Sequence, residues 1–597
     1  MPIASRGRAA ACCLVAIVLV LAVYSYPSLR AGAELGSTVL PPIFSPDLSL
    51  YLNLAAIKTI GGNQVLNPYY HVPLPSNATG FLTFGFAAKL FSHFNRLLGD
   101  HTWFALFIWN LLCWTLLCVV TLWVFQRFLP VTPPALLVAG LGLMMLFNFG
   151  VLKTLLIAWL HLPSLSGFQS IDLPFMRCFI PLIPSTCILA YLGLQMEALR
   201  RRNLILWIAL GALQLLALAI FPYATLMMAG ITAVSVMWQT FAGFQRREIY
   251  VPLLYGIGCA VLDAAFLLRG SLDLYGKHSS IFHFQPNLLP HLVGGGWLLL
   301  VILTIATACT KALPPTVKGA LVGLAATDAA LMLGDAVISP TKILLSHHSA
   351  YFLHTTVATL VTFLAASVLA SRQPKFRLAD VTLWGVAVIV LLNGLLLTAA
   401  TYRAYLPSNR EIVELSRLQP TWNLKDGDLV IARAENGDDL CGWTVLLSQP
   451  PVLFCTDAQM MLTPQQDREI HRFRQALYLY LSGKDSVSIE RALSGPESSS
   501  LMYRLGYWAE ASTASSEDRM EGVRAIRADL IPLLEQVERH DLAVNRFFQQ
   551  FRRIIVIDSI RHHTFDDQRL TSFLRLEGQQ EGRRNSDDLV LTTYLPK

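Results

Sequence analysis

Apolar runs of bilayer length recur along most of this chain, and they constrain its fold more than any other feature. They fall near 9–26, 101–127, 133–150, 178–198, 203–222, 224–244, 250–270, 291–311, 316–337, 350–371 and 380–402. A helix needs about 20 such residues to cross a hydrocarbon core, and it satisfies its own backbone hydrogen bonds where no water is present. Composition agrees: the 597 residues are 54% hydrophobic and 14% charged, against about 25% charged in soluble domains. The expected fold class is an α-helical polytopic membrane protein of about eleven transmembrane (TM) helices, with a membrane part over 1–404 and a soluble α/β domain over 405–597.

The first run has features of a signal peptide, with Arg6 and Arg8 ahead of it and Ala31-Gly32-Ala33 after it. Its apolar stretch continues to Tyr26, which is long for a signal sequence, so a retained helix is expected. Basic residues punctuate the runs at alternate ends: Arg6/Arg8, Arg127, Arg200-Arg201-Arg202, Arg246/Arg247, Lys311/Lys318 and Arg372/Lys375/Arg377. The positive-inside rule makes these ends and the N-terminus cytoplasmic. An odd number of spans then leaves the C-terminal domain outside. The net charge of +7 is accounted for by these clusters, so nucleic acid is not an expected partner. The ten cysteines show no Cys-x-x-Cys and no metal-ligand spacing. Cys441 and Cys455, alone in the soluble region, flank a Gln449-Pro450-Pro451 bend and are a candidate disulfide in an oxidising compartment.

The outer segments on this topology are about 27–100, 151–177, 271–290 and 338–349. They carry the polar and aromatic residues, so the chemistry is expected on the outer face. The first of them has structure of its own. Ser45 or Asp47 can cap a helix whose Leu48, Tyr51, Leu52 and Ala55 repeat at helical spacing, and Gly61-Gly62 should stop it. Asn67-Pro68-Tyr69-Tyr70 is a rigid extended stretch. Phe81 to Leu98 reads as a second, amphipathic helix lying along the interface.

This arrangement resembles the GT-C superfamily of membrane-embedded glycosyltransferases. The resemblance rests on Pro46-Asp47-Leu48-Ser49-Leu50-Tyr51 through Asn67-Pro68-Tyr69-Tyr70, set in a long outer loop after the first helix, with further spans and an outer C-terminal domain behind it. It implies a polyprenyl-phosphate-linked sugar as donor, a glycan, lipid or protein as acceptor, and a multi-pass protein of a bacterial inner membrane with a periplasmic domain. Carried over by position, Asp47 matches the first-loop catalytic acid, with Tyr51, Asn67 and Tyr69 as substrate-binding neighbours. The family often pairs its acids here, whereas Asp47 is followed by Leu48. A lone carboxylate suits a general base; it is a poor magnesium or manganese site, so no metal or other cofactor is expected.

Arg177, at the outer entry to a span, and His347/His348, at another outer boundary near Lys342, are candidates for binding the lipid phosphate. Asp263 and Asp328 lie inside predicted spans, where ionisable groups face a bundle interior or a wet cavity. They open a rival reading, a transporter or lipid flippase; a non-catalytic membrane scaffold is another.

In the C-terminal domain, Leu429–Ala432, Val452–Phe454, Arg553–Asp558 and Leu589–Leu595 read as strands. A helix should open at Thr463-Pro464, bury Ile470, Phe473, Leu477 and Leu481, and end at Gly483. Another helical region spans about 517–539, with Pro532 kinking or breaking it. No phosphate-binding glycine loop and no Gly-x-Ser-x-Gly elbow is present.

Overall fold

The structure is a computed structural model. It describes residues 3–34, 59–60, 64–65, 70, 86–99, 101–129, 132–145, 175, 182–241, 246–266, 296–337, 345–371, 376–419, 422, 424–425, 427–434, 440–448, 451–455, 465–495, 498, 501, 505, 516–560, 563–576, 583–585 and 589–597. The chain divides into two compact units. One comprises Met1–Arg30, Phe104–Leu272 and Pro286–Ala404; the other comprises Ala31–Trp103, Asp273–Gln285 and Tyr405–Lys597.

Helices in chain order are α1 (Ile3–Glu34), α2 (Phe86–Leu97), α3 (Thr102–Phe128), α4 (Pro133–Met145), α5 (Ile183–Arg201), α6 (Leu204–Ile220), α7 (Pro222–Phe241), α8 (Arg246–Phe266), α9 (Gly296–Cys309), α10 (Pro315–Val337), α11 (Leu345–Ser371) and α12 (Phe376–Leu418). Each predicted apolar run overlaps α1 or one of α3 to α12. Among the described residues, Arg8–Glu34, Thr102–Phe128, Tyr223–Phe241 and Val381–Arg403 are long and apolar enough to cross a membrane by length and composition.

The bundle explains its own patterning. On α3 the buried positions Leu106, Trp114, Leu117, Thr121 and Phe125 follow helical spacing. Between them Leu112, Leu116, Val119 and Trp123 stand exposed. The same holds for Leu254 and Val261 on α8 and for Val388, Leu392 and Leu396 on α12, with Leu254 and Leu396 each 68% exposed. Rows of bare Leu and Val would aggregate in water; acyl chains are their natural solvent. This is a helical membrane protein.

Small residues let the helices approach. A Cβ on Gly323 would come 2.7 Å from the Ile231 carbonyl oxygen, and Thr327 lies directly over Gly230, so α7 and α10 meet backbone to backbone. The α5–α6 connection is tight: Arg202 takes φ of 54° and Asn203 caps α6, accepting from the Ile205 amide at 2.9 Å.

In the second unit, β1 (Thr59–Ile60) and β2 (Gln64–Val65) pair antiparallel. Gly61-Gly62, expected to stop a helix, lie outside the described residues. α2 supplies the expected amphipathic helix, from Phe86. The C-terminal sheet contains β3 (Asp428–Ala432), β4 (Arg553–Ser559), β5 (Leu574–Leu576), β6 (Arg583–Asn585) and β7 (Leu589–Pro596), in the order β3-β4-β7-β5. β3 runs parallel to β4 and is buried at every residue, as a strand covered on both faces must be. β4 and β7 are antiparallel. β5 and β6 both pair antiparallel with β7, opposite 594–596 and 590–592. Val452 adds a parallel bridge to Val430 on the other edge.

Around the sheet lie α13 (Leu440–Ser448), α14 (Gln465–Leu481), α15 (Ser486–Ser494), α16 (Ser516–Asp529), α17 (Ile531–Glu538), α18 (Leu542–Gln549) and α19 (Asp567–Phe573). Pro532 stands in the first turn of α17, where its missing amide costs nothing, and separates α17 from α16. Gly483 follows α14 with φ of 78°. One expectation fails on α14: Ile470 is 40% exposed, while His471, Arg472, Arg474 and Gln475 are buried beside Leu477 and Leu481. The helix is enclosed on more than one side, so the simple apolar stripe does not mark its inner face.

Candidate functional site

Asp47, Tyr51, Asn67, Tyr69 and Arg177 lie outside the described residues, as do Lys342 and the polar residues of 151–174 and 271–290. His347 and His348 stand in the first turn of α11. What the structure describes is the framework next to these positions.

Phe175, two residues ahead of Arg177, is fully buried. Its carbonyl accepts the Trp114 indole N–H at 2.9 Å, and its amide donates to the Tyr24 hydroxyl at 3.4 Å. Tyr24 and Trp114 pack at 5.1 Å between centroids. The edge of Phe175 meets His354 of α11 at 5.4 Å, and Nε2 of His354 bonds the Leu143 carbonyl at the end of α4 at 2.6 Å. His347 lies seven residues earlier on α11, about 10 Å along the axis. Tyr24 of α1 and Trp114 of α3 thus bond the Phe175 backbone, while His354 of α11 meets its ring and links it to α4. The residue types required, Trp and Tyr with a polar tip on an apolar body, suit a buried site that must still satisfy a main-chain amide and carbonyl.

Deeper in this unit runs a polar seam. The Tyr191 hydroxyl and Thr232 Oγ1 are 2.6 Å apart, and Gln195 Nε2 donates to the same Thr232 at 3.3 Å. Thr355 donates to Ser185 at 2.9 Å, and Tyr255 to Gln214 at 3.0 Å. Asp328 is fully buried, next in sequence to Thr327, and its carboxyl oxygens make no hydrogen bond among the described residues.

The second unit holds a further polar cluster that sequence reasoning missed. Tyr70 is 3% exposed, and its hydroxyl lies 2.7 Å from His471 Nδ1. The Arg474 guanidinium stands 4.4 Å over the Tyr70 ring and 5.2 Å from the Phe547 ring, and Nη1 donates to the Val452 carbonyl at 2.8 Å. Phe454 closes the cluster, 5.1 Å from His471 and 5.3 Å from Tyr478. Burial holds His471 well below its ordinary range, and the charges of Arg472 and Arg474 push it the same way, so the ring is neutral. Burial raises the Tyr70 hydroxyl, outweighing the opposing pull of Arg474 and the Cys455 amide, so it keeps its proton. With that proton given to Nδ1, the neutral imidazole carries its own on Nε2. The motif Asn67-Pro68-Tyr69-Tyr70 was legible in the sequence; its partner, 401 positions away, was not.

Next to this cluster Cys441 and Cys455 form the candidate disulfide, with Cα atoms 5.8 Å apart. It joins α13 to the segment bridged to β3. Among the described residues no three His, Cys, Asp or Glu side chains gather as a metal site.

No family model matches this chain, and no curated protein matches it. Among solved structures it is similar to the arabinofuranosyltransferase AftD from Mycobacteria, determined by single-particle cryo-electron microscopy. The identity is 14%, the TM-score 0.41, and the match covers 99% of this chain and 41% of that one. The chain thus spans about two fifths of that protein's length. A likeness at this level carries no argument about fold or activity.

Proposed function

We propose that the chain is a membrane-embedded, inverting glycosyltransferase of GT-C type. It moves a sugar from a polyprenyl phosphate or diphosphate to a glycan, lipid or protein acceptor on the extracytoplasmic side. Asp47 takes the proton of the acceptor hydroxyl. The hydroxyl oxygen attacks the anomeric carbon, and the bond from that carbon to the lipid phosphate breaks with its electron pair on the phosphate. Arg177 and His347/His348 hold that phosphate and offset its charge.

The observation that carries this reading is the packing of Phe175 on His354. Phe175 stands two residues before Arg177 in the sequence, and His354 seven residues after His347 on α11. The Cys441–Cys455 disulfide supports an oxidising, extracytoplasmic setting for the C-terminal domain.

The test is sugar transfer by the purified full chain from a polyprenyl-phosphate sugar, read by mass spectrometry. Asp47→Asn keeps a good helix cap but loses the base, so transfer falls by about 10²–10⁴-fold with folding intact. Asp47→Ala loses transfer alike, and also about 1 kcal/mol of local helix stability. Near-normal transfer by Asp47→Asn, with Asp47→Ala losing folded protein, leaves Asp47 a cap and removes the mechanism.

Buried Asp328 favours a second reading, a proton-coupled transporter. On that reading Asp328→Asn abolishes solute uptake into proteoliposomes while Asp47→Asn leaves it intact.

A further inference from the structure

The buried face of α14 is an expensive way to fill a core. His471 and Arg474 are 1% and 6% exposed, and among the described residues no carboxylate pairs with Arg474. A buried guanidinium costs several kcal/mol in desolvation unless something offsets it. Here the offset comes from two aromatic faces and one carbonyl: the rings of Tyr70 and Phe547 and the Val452 oxygen. A desolvated cation over a ring is strongly favourable, so Arg474 needs an aromatic side chain at 70. His471 asks for something narrower. Its neutral ring presents Nδ1 to the hydroxyl at 2.7 Å, which a tyrosine satisfies and a phenylalanine does not. The two demands together select tyrosine.

Tyr70 closes the Asn67-Pro68-Tyr69-Tyr70 stretch of the first outer loop, and its partners belong to the C-terminal domain. We infer that Tyr70, His471 and Arg474 form a clamp by which the C-terminal domain holds the first outer loop at Tyr70, and that they are positioning residues for the transfer step. This rests on the glycosyltransferase reading for what is positioned, though not for the clamp itself.

Hydrogen–deuterium exchange on the full chain in lipid nanodiscs reads the clamp without any substrate. In Tyr70→Phe, amides of 59–75 are expected to exchange about tenfold faster than in wild type, the scale set by one lost buried hydrogen bond, while those of 553–559 stay unchanged. His471→Leu should do the same. His471→Asn keeps an acceptor near the place of Nδ1 and should restore wild-type exchange. In the transfer assay Tyr70→Phe and His471→Leu should lower kcat about tenfold or more with donor KM within twofold, and His471→Asn should recover it. Unchanged exchange in folded Tyr70→Phe overturns the clamp. Faster exchange with unchanged kcat overturns the positioning role. If His471→Leu does not fold, the Tyr70→Phe result decides alone. Absence of transfer in wild type sinks the glycosyltransferase reading and leaves the exchange result to judge the clamp.

Discussion

Asp428 begins β3 at 1% exposure and has four donors around it. The Lys425 amide donates to Oδ2 at 3.0 Å, Arg553 donates Nη2 at 2.7 Å and Nε at 3.2 Å to the same oxygen, and Arg552 donates to Oδ1 at 2.8 Å. Burial alone would raise this carboxyl, but Arg553, the Lys425 amide and Arg552 overcome it and hold it below its ordinary value. A depressed carboxyl contributes stability that is present above the unfolded value, about 3.9, and lost as pH falls through the folded one. Arg552 is half exposed, so solvent screens its share. Asp428→Asn should therefore cost about 2 kcal/mol at pH 7 in thermal unfolding of the full chain followed by tryptophan fluorescence. The gap to wild type should close below about pH 4. A gap unchanged between pH 7 and pH 3 refutes the assignment.

At the scale of elements, the disulfide ties α13 to the segment that extends the sheet beyond β3. Val430 donates to the Pro451 carbonyl at 3.0 Å and accepts from Leu453 at 2.8 Å, while Cys441 donates to Arg433 at 3.1 Å. The bridge closes a loop with a sequence separation of 14. A loop near that length restricts the unfolded chain by about 3 kcal/mol. Native protein should resist alkylation at both cysteines, and Cys441→Ser/Cys455→Ser should lose roughly that stability; two freely alkylated thiols in native protein refute the bridge. These two cysteines were legible because few others compete in the soluble region. Strands β3, β4 and β7 and the break at Pro532 were legible because each is a local pattern. Helices α15, α18 and α19 and strands β5 and β6 were missed because they hold at most nine residues and show too little periodicity. His471 and Arg474 were missed for a different reason. Charge on a helix reads as a solvated face, and only the aromatic partners, distant in sequence, make burial tolerable. Of the candidate site, the sequence supplied Asp47, Tyr51, Asn67, Tyr69, Arg177 and His347/His348. It gave no sign of Tyr24, Trp114 and His354 gathering on Phe175, since such contacts join helices far apart in the chain.

For the whole molecule the consequential question is which side the C-terminal domain occupies, since the proposed reaction needs it outside the cytoplasm. Charge supplied the first argument, and a second comes from packing. Arg127 at the end of α3 donates from Nη2 to Glu197 at 2.8 Å, Arg200 reaches Glu197 at 2.6 Å, and Arg201 also pairs with it. The C-terminal ends of α3 and α5 therefore lie at one level, and two basic clusters assigned to the cytoplasm share a carboxylate. The tight α5–α6 and α6–α7 connections reverse the chain, so Arg246 at the start of α8 returns to the side of Arg200. Lys311 and Lys318 at the α9–α10 connection, and Arg372, Lys375 and Arg377 at the α11–α12 connection, repeat the pattern. If every apolar run spans, α12 crosses outward and residue 405 onward is extracytoplasmic. A fusion after Lys597 to a reporter active only outside the cytoplasm should then be active. A second fusion after Arg202 should be active only if the reporter is one that works in the cytoplasm. Cytoplasmic activity at Lys597 with Arg202 also cytoplasmic would mean that one run between α6 and α12 does not cross. That would overturn the odd count and put the disulfide-bearing domain on the side of the membrane where thiols stay reduced.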